Sequence, residues 1–174
     1  EGEVLQLINT RDPDTSESSY MRVIHDKTAK MFESAAETGA VLGARTGPDR
    51  CQEFATFGLH LGIAFQLIDD VLDYQGDVSE LGKNVGDDLA EGKPTLPLIY
   101  AIQHGAPQHA DLIKSSIRGG LDHLSEIVDI VRDCGGLSYT IERAAEHTER
   151  ALDALSSVPE SPYKDALRRL AEES

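Results

Sequence analysis

The sequence has no tryptophan, and its aromatic share is only 5% within an apolar fraction of 40%. A core so poor in large rings must be filled by Ala, Leu, Ile and Val. These recur with helical spacing rather than strict alternation, which predicts an all-α domain. Cysteine is scarce too: Cys51 and Cys134 stand far apart without metal-ligand spacing, which excludes a disulfide scaffold and a zinc finger. Basic residues are in deficit, with 16 Lys and Arg against 31 Asp and Glu and a net charge of -15. No basic stripe exists to bind nucleic acid. No unbroken apolar run approaches the roughly 20 residues of a membrane-spanning helix, so no membrane span is expected. The default reading is a reduced, soluble, cytoplasmic protein. At 174 residues the chain suits one domain with a sizeable core. It opens "EGEVLQLINT", with no Met or targeting pattern, and Val4, Leu5 and Ile8 are already helix-spaced. It therefore reads as the C-terminal part of a longer protein, although a separately encoded or processed subunit would look the same.

After the opening helix, "TRDPDTSESS" has loop composition and ends in an N-cap candidate at Ser18 or Ser19. A long helix is expected from about Tyr20 to Ala44, and a second from about Arg50 to Tyr74. The polar, Gly-rich stretch from Gln75 to Pro94 predicts a loop with one short helical turn. Further helices are expected at about Thr95 to His104, Pro107 to Ile117, Leu121 to Asp133, Leu137 to Leu155 and Pro162 to Glu172. Gly119, Gly120, Gly135 and Gly136 supply stops between them.

Against this background "FQLIDDVLDY" is anomalous, because it sets Asp69, Asp70 and Asp73 into a run that otherwise belongs inside a protein. On a helix Asp69 and Asp73 lie about 40° apart, with roughly 5 to 6 Å between their Cβ atoms. Ile63, Leu67, Val71 and Tyr74 make the opposite side apolar, so this helix is predicted to be central. Desolvated carboxylates demand a counter-charge, and carboxylates plus water are the ligand set Mg²⁺ prefers, often completed by substrate phosphate. The bland alternative is a solvated acidic face.

On the preceding helix, Tyr20, Ile24, Met31 and Ala35 define an inward stripe that also carries Lys27 and Thr28, while Lys30 falls on the solvent side with Asp26 and Glu33. An inward cation beside a hydroxyl suits a phosphate, though a snorkelling lysine or one paired with a core acid has the same spacing. Lys83 and Lys93 flank a loop containing Asp87 and Asp88; loop lysines are usually solvated, yet two after such a cluster could close over a phosphate. The six histidines show no ligand spacing, and "GLHLG" reads as close helix packing.

Four stretches together resemble the trans-polyprenyl diphosphate synthases, of the all-helical isoprenoid synthase fold. They are "GEVLQL" (2–7), "VIHDKTAKMFESAAETGA" (23–40), "GIAFQLIDDVLDYQGD" (62–77) and "LGKNVGDDLAEGKPTLPLI" (81–99), in the family's order and spacing. The resemblance covers the chain to about residue 100. It implies that Asp69, Asp70 and Asp73 form the second aspartate-rich motif, which binds Mg²⁺ with the allylic diphosphate. Lys27, Thr28, Gln66, Lys83 and Lys93 then match diphosphate-contacting positions, and Asp88 matches a loop aspartate of the closed site, with Asp87 as its one-position alternative. The ending "GKPTLPLI" resembles the long-chain, octaprenyl- or solanesyl-like branch. Residues 1–174 would be the C-terminal portion of one synthase domain, without the upstream first aspartate-rich motif and the isopentenyl diphosphate site.

The implied activity of the complete protein is Mg²⁺-dependent, head-to-tail condensation of an allylic diphosphate with isopentenyl diphosphate, in a homodimer. The chain alone is expected to be inactive. Two rival readings are a non-catalytic or regulatory subunit of a heteromeric synthase, and a helical divalent-metal-binding protein without a prenyl substrate.

Overall fold

Helices and one π turn make up all the regular structure among the residues that the computed structural model describes, which are 1–43, 48–75, 86–119 and 123–173. In chain order they are α1 (Gly2–Asn9), α2 (Glu17–Ile24), the π turn (His25–Ala29), α3 (Lys30–Leu42), α4 (Pro48–Gln75), α5 (Asp87–Ala90), α6 (Leu96–His104), α7 (Pro107–Ile117), α8 (Leu124–Asp133), α9 (Gly136–Ala154) and α10 (Pro162–Glu172). The all-α expectation therefore holds among these residues, and most boundaries fall within one or two positions of the sequence pattern. The start of α2 differs: Ser16, rather than Ser18 or Ser19, is the N-cap, its side chain accepting the Ser19 backbone N–H at 3.1 Å. The short turn expected in the Gly-rich stretch is α5.

At 28 residues, α4 is roughly 42 Å long and runs through the middle of the fold, with α3 on one side and α9 on another. From Asp49 to Gln75 it is long and apolar enough, by length and composition, to cross a membrane. Scattered polar residues interrupt its apolar pattern, so it contains no unbroken apolar run. Within the fold its apolar positions are used by neighbours: Ile63, Leu67, Val71 and Tyr74 are 6%, 0%, 2% and 0% exposed. Leu67 and Ile63 pack with Tyr20, Ile24, Leu96 and Ile99, while Val71 and Tyr74 join Leu98, Ile113, Ile127 and Val131. Each such side chain, fully buried, contributes about 1.5 to 3 kcal/mol.

The contact between α3 and α4 is made close by glycine. A Cβ on Gly62 would lie 2.7 Å from Ala29 Cα and 3.0 Å from Phe32 Cβ, so no larger residue fits without parting the helices. This is the packing role expected of "GLHLG". His60, inside that stretch, meets His147 of α9 with the two Nδ1 atoms 2.9 Å apart. Burial, then the neighbouring His60, Arg150 and Arg143 charges, pull the His147 pKa down to about 4.

The π turn revises one expectation. Tyr20 and Ile24 are buried as anticipated, but Met31 is 72% exposed and Ala35 is exposed too. The residues facing the core beyond the turn are Ala29, Phe32, Ala36 and Ala40. A π turn adds one residue to a helical turn, and the inward stripe accordingly moves from positions 31 and 35 to positions 32 and 36. Lys27 and Thr28 sit inside this irregular turn.

Candidate functional site

The C-terminal half of α4, the π turn, α1 and the segment from α5 into α6 converge on a cavity of about 140 Å³. Its lining includes Lys27, Gln66, Asp69, Asp70, Asp88 and Lys93, all singled out from the sequence. It also includes Gln6 and Asn9 of α1, together with Tyr20 and Thr95, which sequence reasoning left without a role. Two more of the expected residues stand behind the lining. Thr28 donates to Gln66 Oε1 at 2.9 Å, and Asp73 accepts the Asp88 backbone N–H on Oδ2 at 3.3 Å. Lys83 lies outside the described residues.

The three aspartates occupy different environments. Asp69 is exposed, Asp73 is half-buried and Asp70 is only 3% exposed. The expectation of a uniformly buried cluster is therefore replaced by a graded one, because residues 69 and 70 point about 100° apart around the helix. Both Asp70 oxygens are engaged by the protein: Tyr20 Oη donates to Oδ2 at 2.5 Å, and Gln66 Nε2 donates to Oδ1 at 2.9 Å. The same Gln66 amide reaches Asp69 Oδ2 at 3.3 Å. Burial pushes the Asp70 pKa up to about 7, with the Asp88 and Asp69 charges adding to it while the Tyr20 and Gln66 hydrogen bonds oppose it. Burial, then Asp88, raises Asp73 to about 6. Tyr20, fully desolvated beside these carboxylates, is held well above its ordinary value and keeps its proton.

Two cations face this negative group. Lys27 Nζ donates to Gln6 Oε1 at 2.7 Å and lies 3.4 Å from Glu3, with 30% of its side chain still exposed. Helix α1 can lie directly across it because residue 2 is glycine: a Cβ there would be 2.5 Å from Lys27 Cα. The core-acid alternative for Lys27 is thereby removed, since its partners are a surface acid and an amide. Lys30 pairs instead with Glu33 at 2.8 Å on the outer face, as expected. Lys93 bonds Asp88 at 3.1 Å and Glu91 at 2.6 Å. Burial works against its charge, but Glu91 and Asp88 outweigh that and hold its ammonium above the usual value. The segment carrying Lys93 is tied to the end of α1 by the Arg11 backbone N–H, which donates to Gly92 O at 2.7 Å.

The donor set suits a hard divalent cation. It offers carboxylate oxygens, no thiolate and no imidazole, which is the chemistry Mg²⁺ and Ca²⁺ select. Asp69 and Asp73 are the members with exposed or partly exposed carboxylates, whereas both Asp70 oxygens are already occupied. Among the described residues no three His, Cys, Asp or Glu side chains already converge as a closed ligand set. Thr95, 6% exposed, also borders the cavity, with its hydroxyl beside the buried Tyr74 hydroxyl. An open polar cavity with raised carboxylates and two lysines suits a charged, oxygen-rich group together with its cation.

Known proteins show the same combination of fold and sequence. The Polyprenyl synthetase family profile matches residues 1–134. The octaprenyl diphosphate synthase of Escherichia coli (strain K12) is 49% identical over 173 residues, covering 98% of this chain and 53% of that protein. The all-trans-nonaprenyl-diphosphate synthase (geranyl-diphosphate specific) of Rhodobacter capsulatus is 50% identical over 171 residues, covering 98% of this chain and 52% of that protein. Among solved structures, the polyprenyl synthase from Caulobacter crescentus CB15, complexed with calcium and isoprenyl diphosphate, superposes with a TM-score of 0.92 at 38% identity, covering 98% of this chain and 53% of that one. The fold is therefore the all-α isoprenoid synthase fold expected from the motifs. The chain spans about half the length of the curated relatives it matches. Helical architecture, aspartate cluster and sequence relationship agree, and the chain belongs to the polyprenyl synthetase family.

Proposed function

We propose that the complete protein is a prenyltransferase that condenses an allylic diphosphate with isopentenyl diphosphate, head to tail, into a long-chain polyprenyl diphosphate. The observation that carries this reading is the convergence of Asp69, Asp70 and Asp88 with Lys27 and Lys93 on one cavity. Carboxylates alone would repel a diphosphate, and lysines alone would not require a cation; together they suit a metal-diphosphate pair. Asp69 and Asp70 in the lining, with Asp73 behind it, would hold Mg²⁺. When bound, that ion would supply Lewis-acid neutralisation of the leaving diphosphate.

The protein's own residues do the rest of the work on this half of the reaction. Lys27 and Lys93 point ammonium groups at the charge that grows on the departing diphosphate, and stabilisation aimed at developing charge is where rate is gained. Gln6 and Glu3 hold Lys27, and Asp88 holds Lys93, so both cations are placed before substrate arrives. No side chain in the cavity is assigned as general base; the released diphosphate is the candidate acceptor for the proton lost from the new prenyl unit. The similarity to the octaprenyl and nonaprenyl synthases supports a long-chain product. A homodimer, from the resemblance, and a cytoplasmic location, from the composition, belong to the same reading.

The test is turnover by the protein as its gene encodes it, with farnesyl diphosphate, radiolabelled isopentenyl diphosphate and Mg²⁺. Elongated prenyl products that vanish without Mg²⁺ support the proposal. The 174-residue chain alone is expected to give none, because the Mg²⁺ held by one aspartate cluster would neutralise the leaving group only in part and no second substrate would be bound. Pyrophosphate binding that needs Mg²⁺ but is never accompanied by turnover would favour a non-catalytic subunit. Metal binding indifferent to pyrophosphate would favour a simple metal-binding protein.

A further inference from the structure

The Tyr20 hydroxyl is the one contact to the aspartate cluster that comes from α2. Its ring is 5% exposed, seated among Ile24, Ile63, Leu67 and Leu96, so it has little freedom to move. A buried tyrosine in this fold does not require an acid as partner, because Tyr74, 0% exposed on α4, has its hydroxyl beside Thr95 rather than on a carboxylate. Tyr20 instead spends its donor on Asp70 Oδ2 at 2.5 Å, a short bond of the charge-assisted kind.

On the other side of the same carboxylate, the Gln66 amide has a single consistent orientation. Thr28 donates to its oxygen, which leaves its NH₂ for Asp70 Oδ1 and, more weakly, Asp69 Oδ2. Asp70 is thus clamped between two donors from two helices, and both the amide and the Asp69 contact take their position from that clamp.

We propose that Tyr20 is a positioning residue for the metal-diphosphate site: it fixes the Asp70 carboxylate, and through Gln66 it fixes Asp69 and Thr28 in register with the cavity. Tyr20 itself touches neither cation nor substrate in this assignment. The inference rests on the reading of the cavity given under the proposed function. Outer partners of metal ligands commonly change metal affinity by about 10- to 100-fold when removed, and Tyr20 holds that place here.

Tyr20→Phe keeps the ring and removes only the donor. In the protein as encoded, inorganic pyrophosphate binding is measured calorimetrically across a Mg²⁺ series, with thermal unfolding in EDTA alongside. For Tyr20→Phe the Mg²⁺ concentration giving half-maximal pyrophosphate binding is expected to rise about 10-fold or more. Asp70→Asn is expected to raise it as well, and the double variant to resemble Asp70→Asn alone, since Tyr20 acts through Asp70. A Tyr20→Phe protein that melts early yet keeps the original Mg²⁺ dependence overturns the inference, as does a double variant in which the two effects multiply. If the unaltered protein shows no Mg²⁺-dependent pyrophosphate binding, the reading of the cavity fails and takes this inference with it.

Discussion

Replacing Asp70 by Asn is expected to make the metal-free protein more stable at alkaline pH while weakening its site. Burial raises the Asp70 pKa from an ordinary 3.8 to about 7. At about 1.4 kcal/mol per unit, the ionised carboxylate therefore costs the folded state on the order of 4 kcal/mol above pH 7. Asparagine carries no charge to desolvate. It does keep only one acceptor oxygen, so it can satisfy Tyr20 or Gln66 but not both, which returns about 1 to 1.5 kcal/mol. A net gain of about 2 to 3 kcal/mol is left at pH 8, worth several degrees in Tm for a chain of this size. The sign follows from proton binding. Between the unfolded pKa near 4 and the folded value near 7, the folded state holds the extra proton, so stability falls as pH rises through that window. The Asn variant lacks this dependence, so its advantage must fall by about 4 kcal/mol as pH drops to about 4, changing sign on the way. Urea denaturation in EDTA at pH 8, 6 and 4.5 reads it directly. A variant no more stable than the parent at pH 8, or an advantage that does not change with pH, would refute the argument from burial.

Lys27→Ala should weaken Mg²⁺-dependent pyrophosphate binding about 10-fold or more, while shifting Tm by no more than 2 °C or so, since its partners Glu3 and Gln6 reach solvent; calorimetry and thermal melts check both, with Lys30→Ala as a silent control on the outer face. Gly62→Ala should destabilise the fold by about 1 to 3 kcal/mol in urea, because its Cβ would press on the backbone of Ala29. The buried His147 carries a folded pKa of about 4, below its unfolded value of 6.5, so its contribution to stability is intact above pH 6.5 and is lost as pH falls toward 4. The stability difference between the parent and His147→Gln should therefore move in the variant's favour over that window, opposite in sign to the Asp70 effect, and a difference independent of pH would contradict it.

What the sequence made legible was periodic. The apolar positions of α4 identified it as the central helix and made its aspartates stand out, while Gln66 and Lys27 were joined to them by the family resemblance. Two kinds of information were not periodic. A π turn carries no composition signal of its own, and the single residue it inserts moved the inward stripe from Met31 and Ala35 to Phe32 and Ala36. Residues brought in by tertiary packing were equally hidden. Gln6 and Asn9 lie on a short, otherwise unremarkable helix, and only its crossing over Lys27 through Gly2 makes them part of the site. Tyr20 was visible as an inward residue, yet nothing in its spacing says that its hydroxyl ends on Asp70, 50 positions away. The grading of the aspartates from exposed to buried belongs to the same class, because it depends on which neighbouring helix covers each one.

The central claim is that this cluster binds a divalent cation and a diphosphate as one unit. Linked binding tests it most directly: pyrophosphate affinity of the purified protein is measured calorimetrically with and without Mg²⁺, and Mg²⁺ affinity with and without pyrophosphate. The account predicts that each ligand raises the affinity for the other by the same factor, as linkage requires, and that Asp69→Ala abolishes the coupling. Pyrophosphate binding that is indifferent to Mg²⁺, or coupling that survives Asp69→Ala unchanged, would contradict it.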